Sequence, residues 1–297
     1  MSLADIVKEI GGDLYGADRA VIPGPGHGPS DRSVSLLVDR SGRLVVTSFG
    51  RSTWQEVVDD LRARGLIDRE KRLVGGVGAS VRLAPAAADV SRGEKVRIAQ
   101  AIWATGGPVA GTLAERHMRG RSIRRALPDG EALRHTPGAP LRAYDPDDRR
   151  TWPALLAGVR TADGLLTAVE ITFLDRSGAR ADGLRLPRKT IGTIPPGSAV
   201  RLDPSAPDML VGEGVFTTLS ASQRFGLAGW ALLSTARLVT WTPPGGVRQV
   251  LVAGDNGAAG RAAARRLVTR LREAGVQARA VFPPEGLGDW NEAVDVA

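Results

Sequence analysis

Three acidic residues in the last third of the chain, Glu213, Asp255 and Asp289, are candidate metal ligands. Each follows an apolar run typical of a β-strand and precedes a helix-like stretch. In an open parallel sheet the carboxyl ends of such strands meet at one rim, where these folds bind ligands. Converging carboxylates repel each other, and a hard divalent cation keeps them ionised. We therefore predict a site for Mg²⁺ (or Mn²⁺) at that rim.

Two of these acids also have a purely structural interpretation. Asp255 could cap the helix expected to begin near Ala258, and Asp289 could cap the turn of the closing segment WNEAV. Glu213 has no comparable alternative. Three acids at three successive strand ends favour the metal site over three separate caps.

Backbone groups beside the acids form a second candidate feature. The segment GDNGAAG places N–H groups at the start of a helix, where a phosphate binds readily. We expect this cofactor-binding role for three residues that border the acids: Gly214, Asn256 and Gly257.

The elements that must position these residues alternate in type along the chain. MLVGEG, RQVLVAG and QARAVF are β-type runs, and helix-like segments separate them. Strands alternating with helices indicate a parallel sheet. The sequence therefore predicts an α/β, Rossmann-like domain over residues 206–297.

The earlier parts of the chain have other patterns. Residues 91–205 begin with a helix, EKVRIAQAIWATGGP, and continue with β-type runs, which predicts an α+β domain. Residues 1–67 contain a hairpin between Val34 and Phe49 and a helix that begins at Trp54. The segment 68–90 is rich in Gly, Ala and Pro and is expected to be a linker.

The charge balance favours a polyanionic partner. The chain has 40 Lys and Arg against 32 Asp and Glu, a net charge of +8 and a sequence pI near 10.7. Arginine matches phosphate in a two-pronged geometry. Genomic base composition also enriches arginine, so charge alone leaves both explanations open.

Two basic clusters are candidate nucleic-acid contacts. Close-set guanidinium groups repel each other unless anions or solvent intervene, so each cluster is either a phosphate-binding surface or a solvated face. One cluster follows Glu115 and the other surrounds the segment LPRKT, where Arg185 is also basic. The predicted contacts are Arg116, Arg119, Arg121, Arg124, Arg125, Arg188 and Lys189.

The sequence excludes several classes of site. It contains no cysteine, so a disulfide, a thiolate zinc site and a cysteine nucleophile are impossible. It has no apolar run of signal-peptide or membrane-span length. We expect a cytoplasmic protein with no membrane partner.

Several motifs together resemble those of DnaG-like primases of plasmids and phages. LVGEGVFTTLSA resembles the EG motif of the TOPRIM domain, QVLVAGDNGAAG its DxD motif and FPPEGLGDWNEAV its closing acidic motif. AIWATGGPVAGTLAERHMRGRSI and RLPRKTIGTIPPGSAVRL resemble the region before TOPRIM in that branch. The resemblance covers most of residues 91–297.

The motifs depart from the family pattern at two positions. Phe216 stands where many relatives have a second acid after the EG, and Gly257 stands where the DxD motif has its second aspartate. Glu213 and Asp255 remain for one Mg²⁺, and Asp289 could assist directly or through water. Reduced or lost catalysis is an open alternative.

The first 67 residues resemble the zinc-ribbon module at the start of primases, which helps choose template sequence. The metal ligands are gone, because only His27 is left in PGPGHGPSDRSVSL. We therefore expect no zinc and a module held by its hydrophobic hairpin and helix alone.

The resemblance implies a DNA primase-type nucleotidyltransferase for DNA replication. Glu213 and Asp255 would be catalytic, and the partners would be single-stranded DNA and nucleoside triphosphates. No GxxxxGK[ST] loop occurs, so unwinding would need a separate replicative helicase. The alternatives are a catalytically degenerate TOPRIM nucleic-acid-binding protein and a TOPRIM-type nuclease.

Overall fold

The structure is a computed structural model, and it describes residues 1–15, 18–28, 31–39, 41–48, 52–74, 90–184 and 186–293. The chain divides into two compact units, Met1–Asp89 and Val90–Ala297. Most of the predicted linker, residues 75–89, lies outside the described residues. The domain limits expected from the sequence, 1–67, 68–90, 91–205 and 206–297, stay predictions.

The first unit is a four-stranded antiparallel sheet with two helices. The strands lie in the order β1-β2-β3-β4, and β3 and β4 form the predicted hairpin. Both helices begin with a capping box, from Ser2 in α1 and from Thr53 in α2. The elements are α1 (Leu3–Ile10), β1 (Asp13–Leu14), β2 (Arg19–Ile22), β3 (Val34–Val38), β4 (Leu44–Ser48) and α2 (Trp54–Ala63).

A cluster of hydrogen bonds to Asp31 lies beside the hydrophobic core of this unit. The core joins apolar residues of α1, α2 and the sheet. Beside it, the Asp31 carboxylate accepts hydrogen bonds from the Gly24 N–H at 2.9 Å and the Ser33 hydroxyl at 2.6 Å, and it contacts His27 Nδ1 at 2.7 Å. These contacts link Gly24, His27 and Ser33 beside the core, and the expectation that hairpin and helix hold the module without a metal stays a prediction.

The second unit begins with helices packed on an antiparallel sheet. Its strands lie in the order β5-β6-β7-β8. One face packs on α3, and the other packs on α4 and on Val215 and Phe216. The elements are α3 (Arg92–Ala104), α4 (Leu113–Gly120), β5 (Leu133–Pro140), β6 (Thr151–Arg160), β7 (Leu166–Phe173) and β8 (Arg188–Gly192).

The C-terminal part is a five-stranded sheet in the order β13-β12-β10-β11-β9. Strands β10 to β13 are parallel, and β9 is an antiparallel edge strand. The elements are β9 (Val200–Arg201), β10 (Asp208–Gly212), α5 (Val215–Phe225), β11 (Ala228–Ala231), α6 (Thr235–Thr240), β12 (Gln249–Ala253), α7 (Ala258–Glu273) and β13 (Gln277–Val281).

Helices cover both faces of this sheet. Met209 and Val211 of β10 face α6 and α7, whereas Leu210 faces the α5 side with Ala221. Such burial of successive strand residues, on both faces of the sheet, is typical of parallel strands. The predicted fold class, an α+β part followed by an α/β domain with a mostly parallel sheet, is confirmed.

The described residues were also searched for membrane spans. None of their helices combines the length and the apolar character that crossing a bilayer requires.

Candidate functional site

Glu213 and Asp255 lie at the same rim of the parallel sheet. Strands β10 and β12 are hydrogen-bonded neighbours, with Gly212 in register with Ala253. Glu213 is the next residue after β10, and Asp255 is the second after β12. The chain moves from β10 to β11 on one side and later to β12 on the other, so the two acids border the point where strand order reverses. Open α/β sheets bind ligands at this point.

Asp255 is held in an environment that opposes its negative charge. Burial, together with the negative charges of Glu213, Asp289 and Glu292, raises its pKa to about 7. Its Oδ1 atom is buried and has no hydrogen-bond partner. Helix α7 is capped by Gly257 without a side-chain bond, so Asp255 is not the helix cap. A buried carboxylate oxygen without a partner suits a bound cation.

Glu213 is also partly withdrawn from water. Burial raises its pKa, while the backbone N–H of Thr235 and the charge of Arg188 lower it. Thr235 begins α6, so the start of this short helix faces the Glu213 carboxylate. Glu213 therefore has both a polar anchor and a cationic neighbour in the second unit.

Asp289 follows a loop that Asn256 binds through hydrogen bonds, and its charge acts on Asp255. The Asn256 side-chain amide lies 3.0 Å, 3.1 Å and 2.6 Å from the carbonyl oxygens of Pro283, Pro284 and Leu287. Its backbone N–H donates to the Gly288 carbonyl at 2.8 Å. These bonds bring the segment after β13 back over the rim. The sequence assigned Asn256 to cofactor binding, whereas its side chain contacts this loop.

Asp289 caps the last turn, as its structural interpretation proposed. Its Oδ1 accepts hydrogen bonds from the backbone N–H groups of Asn291 at 2.8 Å and Glu292 at 3.0 Å. Glu292, which sequence reasoning missed, accepts from the Gly288 N–H at 2.6 Å and adds its charge near Asp255. Glu292 stands three residues after Asp289, which is the spacing of a capping box, and this pattern could have identified it from the sequence.

The acids form an electrostatic cluster but not a closed ligand shell. Across the described residues, no group of three or more His, Asp or Glu side chains is arranged to hold a metal ion. One oxygen of Asp289 accepts hydrogen bonds from the closing turn. The site fits an open cation position at Glu213 and Asp255 that other oxygens must complete.

The two glycines assigned to cofactor binding are the N-caps of their helices. Gly214 precedes α5 and Gly257 precedes α7, and neither has a side-chain cap. Gly257 has a φ of −64°, and a Cβ added there meets nothing within 4 Å. The position therefore has room for a side chain.

The arginines of the first basic cluster have different environments. Arg119 contacts Glu115 at 3.1 Å and donates to the carbonyl oxygens of Ile123 at 2.8 Å and Arg125 at 3.0 Å. Arg125 pairs with Asp203, and both side chains are less than a fifth exposed. Both arginines make contacts within the protein, although Arg119, like Arg116, is exposed. The backbone N–H of Arg124 donates to Gln223 at 2.5 Å.

Arg121 connects the basic cluster to the acids. Its guanidinium lies 4.7 Å from the centre of the Phe216 ring, and the His117 ring meets the same ring edge-on at 5.1 Å. Burial lowers the pKa of Arg121, and Asp289 opposes that shift. The Phe216 ring thus contacts the Arg121 guanidinium close to the carboxylates.

The second basic cluster is divided between two faces of its strand. Arg188 is exposed and interacts with Glu213 and Arg121. Lys189 points the other way, and its ammonium donates to the carbonyl oxygens of Leu141 at 2.7 Å and Pro140 at 3.1 Å. Burial lowers the pKa of Lys189 to about 8. Arg185 lies outside the described residues.

Two family models match the second unit. Residues 208–296 match the Toprim domain, and residues 93–202 match a domain of unknown function, DUF7146. The Toprim match contains all three predicted acids, and the earlier match contains both basic clusters. A comparison with curated proteins gives no match.

Solved primases have similar structures at low identity. The Aquifex aeolicus primase, with its zinc-binding and RNA polymerase domains, aligns over 98% of this chain and 79% of its own at 15% identity and a TM-score of 0.43. A DNA primase domain from Pseudomonas aeruginosa aligns over 67% of this chain and 74% of its own, at 17% identity and a TM-score of 0.44. A DnaG primase catalytic domain bound to ssDNA aligns over 68% of this chain and 75% of its own, at 15% identity and a TM-score of 0.45.

Proposed function

We propose that this chain, whose residues 208–296 form a Toprim domain, is a primase-like protein that joins nucleotides on a single-stranded DNA template. The observation that carries this proposal is the pair Glu213 and Asp255 at the reversal of strand order, where the buried Oδ1 of Asp255 has no partner. The resemblance of the motifs to those of plasmid and phage primases gives the reaction class.

Glu213 and Asp255 are the residues that would hold a divalent cation, Mg²⁺ or Mn²⁺. When bound, the cation would neutralise the phosphates of a nucleotide and orient them. Two carboxylates leave most of an octahedral shell to water and phosphate oxygens. We therefore expect cation and nucleotide to bind cooperatively.

The protein residues around the acids have complementary roles in this proposal. Arg121 and Arg188 supply positive charge next to Asp289 and Glu213, where phosphate oxygens would lie. The Glu213 carboxylate would orient the primer 3′-hydroxyl, either through the cation or as a base. Asn256 would keep the Asp289 loop in place through its three carbonyl contacts.

Primer synthesis on single-stranded DNA with labelled nucleoside triphosphates tests this function. The unmodified protein should form short labelled products with Mg²⁺ or Mn²⁺, and Glu213→Gln and Asp255→Asn should each abolish them. Arg97→Gln is a matched control, because Arg97 pairs with Glu94 on the exposed surface of α3. The absence of product under all cation and template conditions would contradict the proposal.

A second candidate function is nucleic-acid binding without catalysis. It is favoured by Phe216 and Gly257, which replace acids of the family pattern, and by the missing three-ligand group among the described residues. The same experiment separates the candidates. Retention of template without product indicates a binding protein, and degradation of the template indicates a nuclease.

A further inference from the structure

Glu170 is an acidic residue of β7 that has no place in the site described so far. The β7–β8 register pairs Glu170 with Thr190 and Thr172 with Arg188. Paired residues share a face of the sheet, and so do residues two apart along a strand. Glu170 and Arg188 are therefore diagonal neighbours on one face, within reach of a long side chain.

That face of the sheet adjoins the beginning of α5. Its apolar residues Leu155, Ala157 and Ala168 belong to the same buried cluster as Val215 and Phe216. Glu213 lies two residues before Val215. The diagonal pair on β7 and β8 is therefore near the acidic rim, although it comes from a different sheet.

Arg188 interacts electrostatically with two carboxylates. Its positive charge acts on Glu170 and also on Glu213. It also repels Arg121, whose guanidinium is on the Phe216 ring. Without an acid on its own sheet, an exposed arginine would turn into solvent, away from the other cations.

Besides Arg188, few groups stabilise the negative charge of Glu170. Burial raises its pKa, and Arg188 is the group that opposes this shift. Within the described residues no hydrogen bond to its carboxylate is found. A carboxylate in such a position is costly unless a cation accompanies it.

We propose that Glu170 is a positioning residue, which holds the Arg188 guanidinium towards the acidic rim so that it contacts a phosphate of the bound nucleotide. The inference rests on the proposed function, because it assigns the phosphate to the substrate of that site. Glu170 itself does not touch the substrate. Its effect is to restrict an arginine that otherwise has many conformations.

Calorimetric titration with MgATP tests this role in the full chain. Glu170→Gln keeps the size of the side chain and removes its charge. It should weaken MgATP binding about tenfold, the loss expected when one charge-assisted contact of about 1.4 kcal/mol is removed. Arg188→Gln should have a similar effect, and the double variant should be no weaker than Arg188→Gln alone. Glu170→Asp should retain part of the affinity, and Arg97→Gln should change nothing.

A second measurement reports the position of Arg188 without any ligand. The Nε–H resonance of Arg188 in ¹⁵N-labelled protein should be sharp and distinct in the unmodified chain, and it should move to the position of solvent-exposed arginines in Glu170→Gln. An unchanged resonance would overturn the proposal.

The outcomes separate this inference from the proposed function. If the unmodified protein binds MgATP and Glu170→Gln binds it equally well, the positioning role is wrong and the proposed function stands. Additive losses in the double variant would also overturn the role. If the unmodified protein binds no MgATP, the proposed function fails, and with it the assignment of Arg188 to a nucleotide phosphate.

Discussion

The side-chain amide of Asn256 lies 2.6 Å from the carbonyl oxygen of Leu287, across a separation of 31 residues. Asn256 follows Asp255 directly, and Leu287 lies two residues before Asp289. The contact therefore joins the segments that carry two of the acids. It makes the geometry of the acidic rim depend on a residue that contributes no charge.

Asn256→Ala is expected to loosen this loop without removing a carboxylate. It leaves the carbonyl groups of the 283–287 segment without their amide partner, at a cost of about 1–3 kcal/mol to the loop. We expect Mn²⁺ binding in the presence of nucleotide to weaken about tenfold. Electron paramagnetic resonance of bound Mn²⁺ measures it.

Arg97→Gln is the control, because Arg97 pairs with Glu94 on the exposed surface of α3. An equal loss in this control would contradict the positioning role of Asn256.

Gly257→Asp is expected to tighten cation binding in the absence of nucleotide. The backbone at Gly257 is in an ordinary extended conformation, with φ −64° and ψ 151°, and has open space for a Cβ. The substitution restores the second acid of the motif. Calorimetry with Mg²⁺ should give a stronger signal for the variant than for the unmodified protein.

Gly257→Asn separates charge from helix capping. Asn and Asp are both favoured at the N-cap, so both variants should stabilise α7 by a few tenths of a kcal/mol. Only the aspartate should improve Mg²⁺ binding. Equal binding by both variants would show that the cap, and not the added carboxylate, changes the site.

The sequence predicted the sheet better than it predicted the contacts at its rim. Alternating β-type and helix-like segments placed Glu213 and Asp255 at adjacent strand ends, because strand order and burial follow from local periodicity. The sequence did not predict the Asn256 loop contacts or the inward direction of Lys189. Both depend on carbonyl groups from segments distant along the chain, and no local pattern specifies those partners.

Arg116→Gln and Arg125→Gln are expected to affect different properties. Arg116 is exposed, and we expect it to contact one phosphate of a dT oligonucleotide. Its replacement should then reduce the slope of log binding constant against log salt concentration by about 0.7. Arg125 pairs with Asp203, which also accepts the Gly229 N–H at 2.8 Å. Its replacement should lower the free energy of unfolding by on the order of 2 kcal/mol.

Titrations across a salt series and urea unfolding of the same two variants measure these effects. An unchanged salt slope in Arg116→Gln would assign that residue to a solvated face, and unchanged stability in Arg125→Gln would contradict the structural role of its ion pair.

Asp31→Asn is expected to destabilise the first unit in a pH-dependent way. Hydrogen bonds from Ser33 and Gly24 hold the pKa of Asp31 well below its usual range. A depressed folded-state pKa gives stability that is present above the unfolded value of about 4 and is lost as the pH falls below it. At neutral pH the variant should therefore lose roughly 1–2 kcal/mol, from weakened bonds to the charged acceptor. Below pH 4 the difference should shrink, because the Asp31 carboxylate of the unfolded chain takes up a proton there while that of the folded chain stays ionised.

Urea unfolding followed through the methyl resonances of Val34 and Leu36, which are buried in the first unit, confines this measurement to that unit. Asp59→Asn is the matched control, because the Asp59 side chain on α2 is 73% exposed and lies 3.4 Å from Arg62. This control should be neutral at both pH values. A loss in Asp31→Asn that stayed constant from pH 7 to pH 3 would mean that the lost acceptor oxygen, and not the charge of Asp31, accounts for the effect.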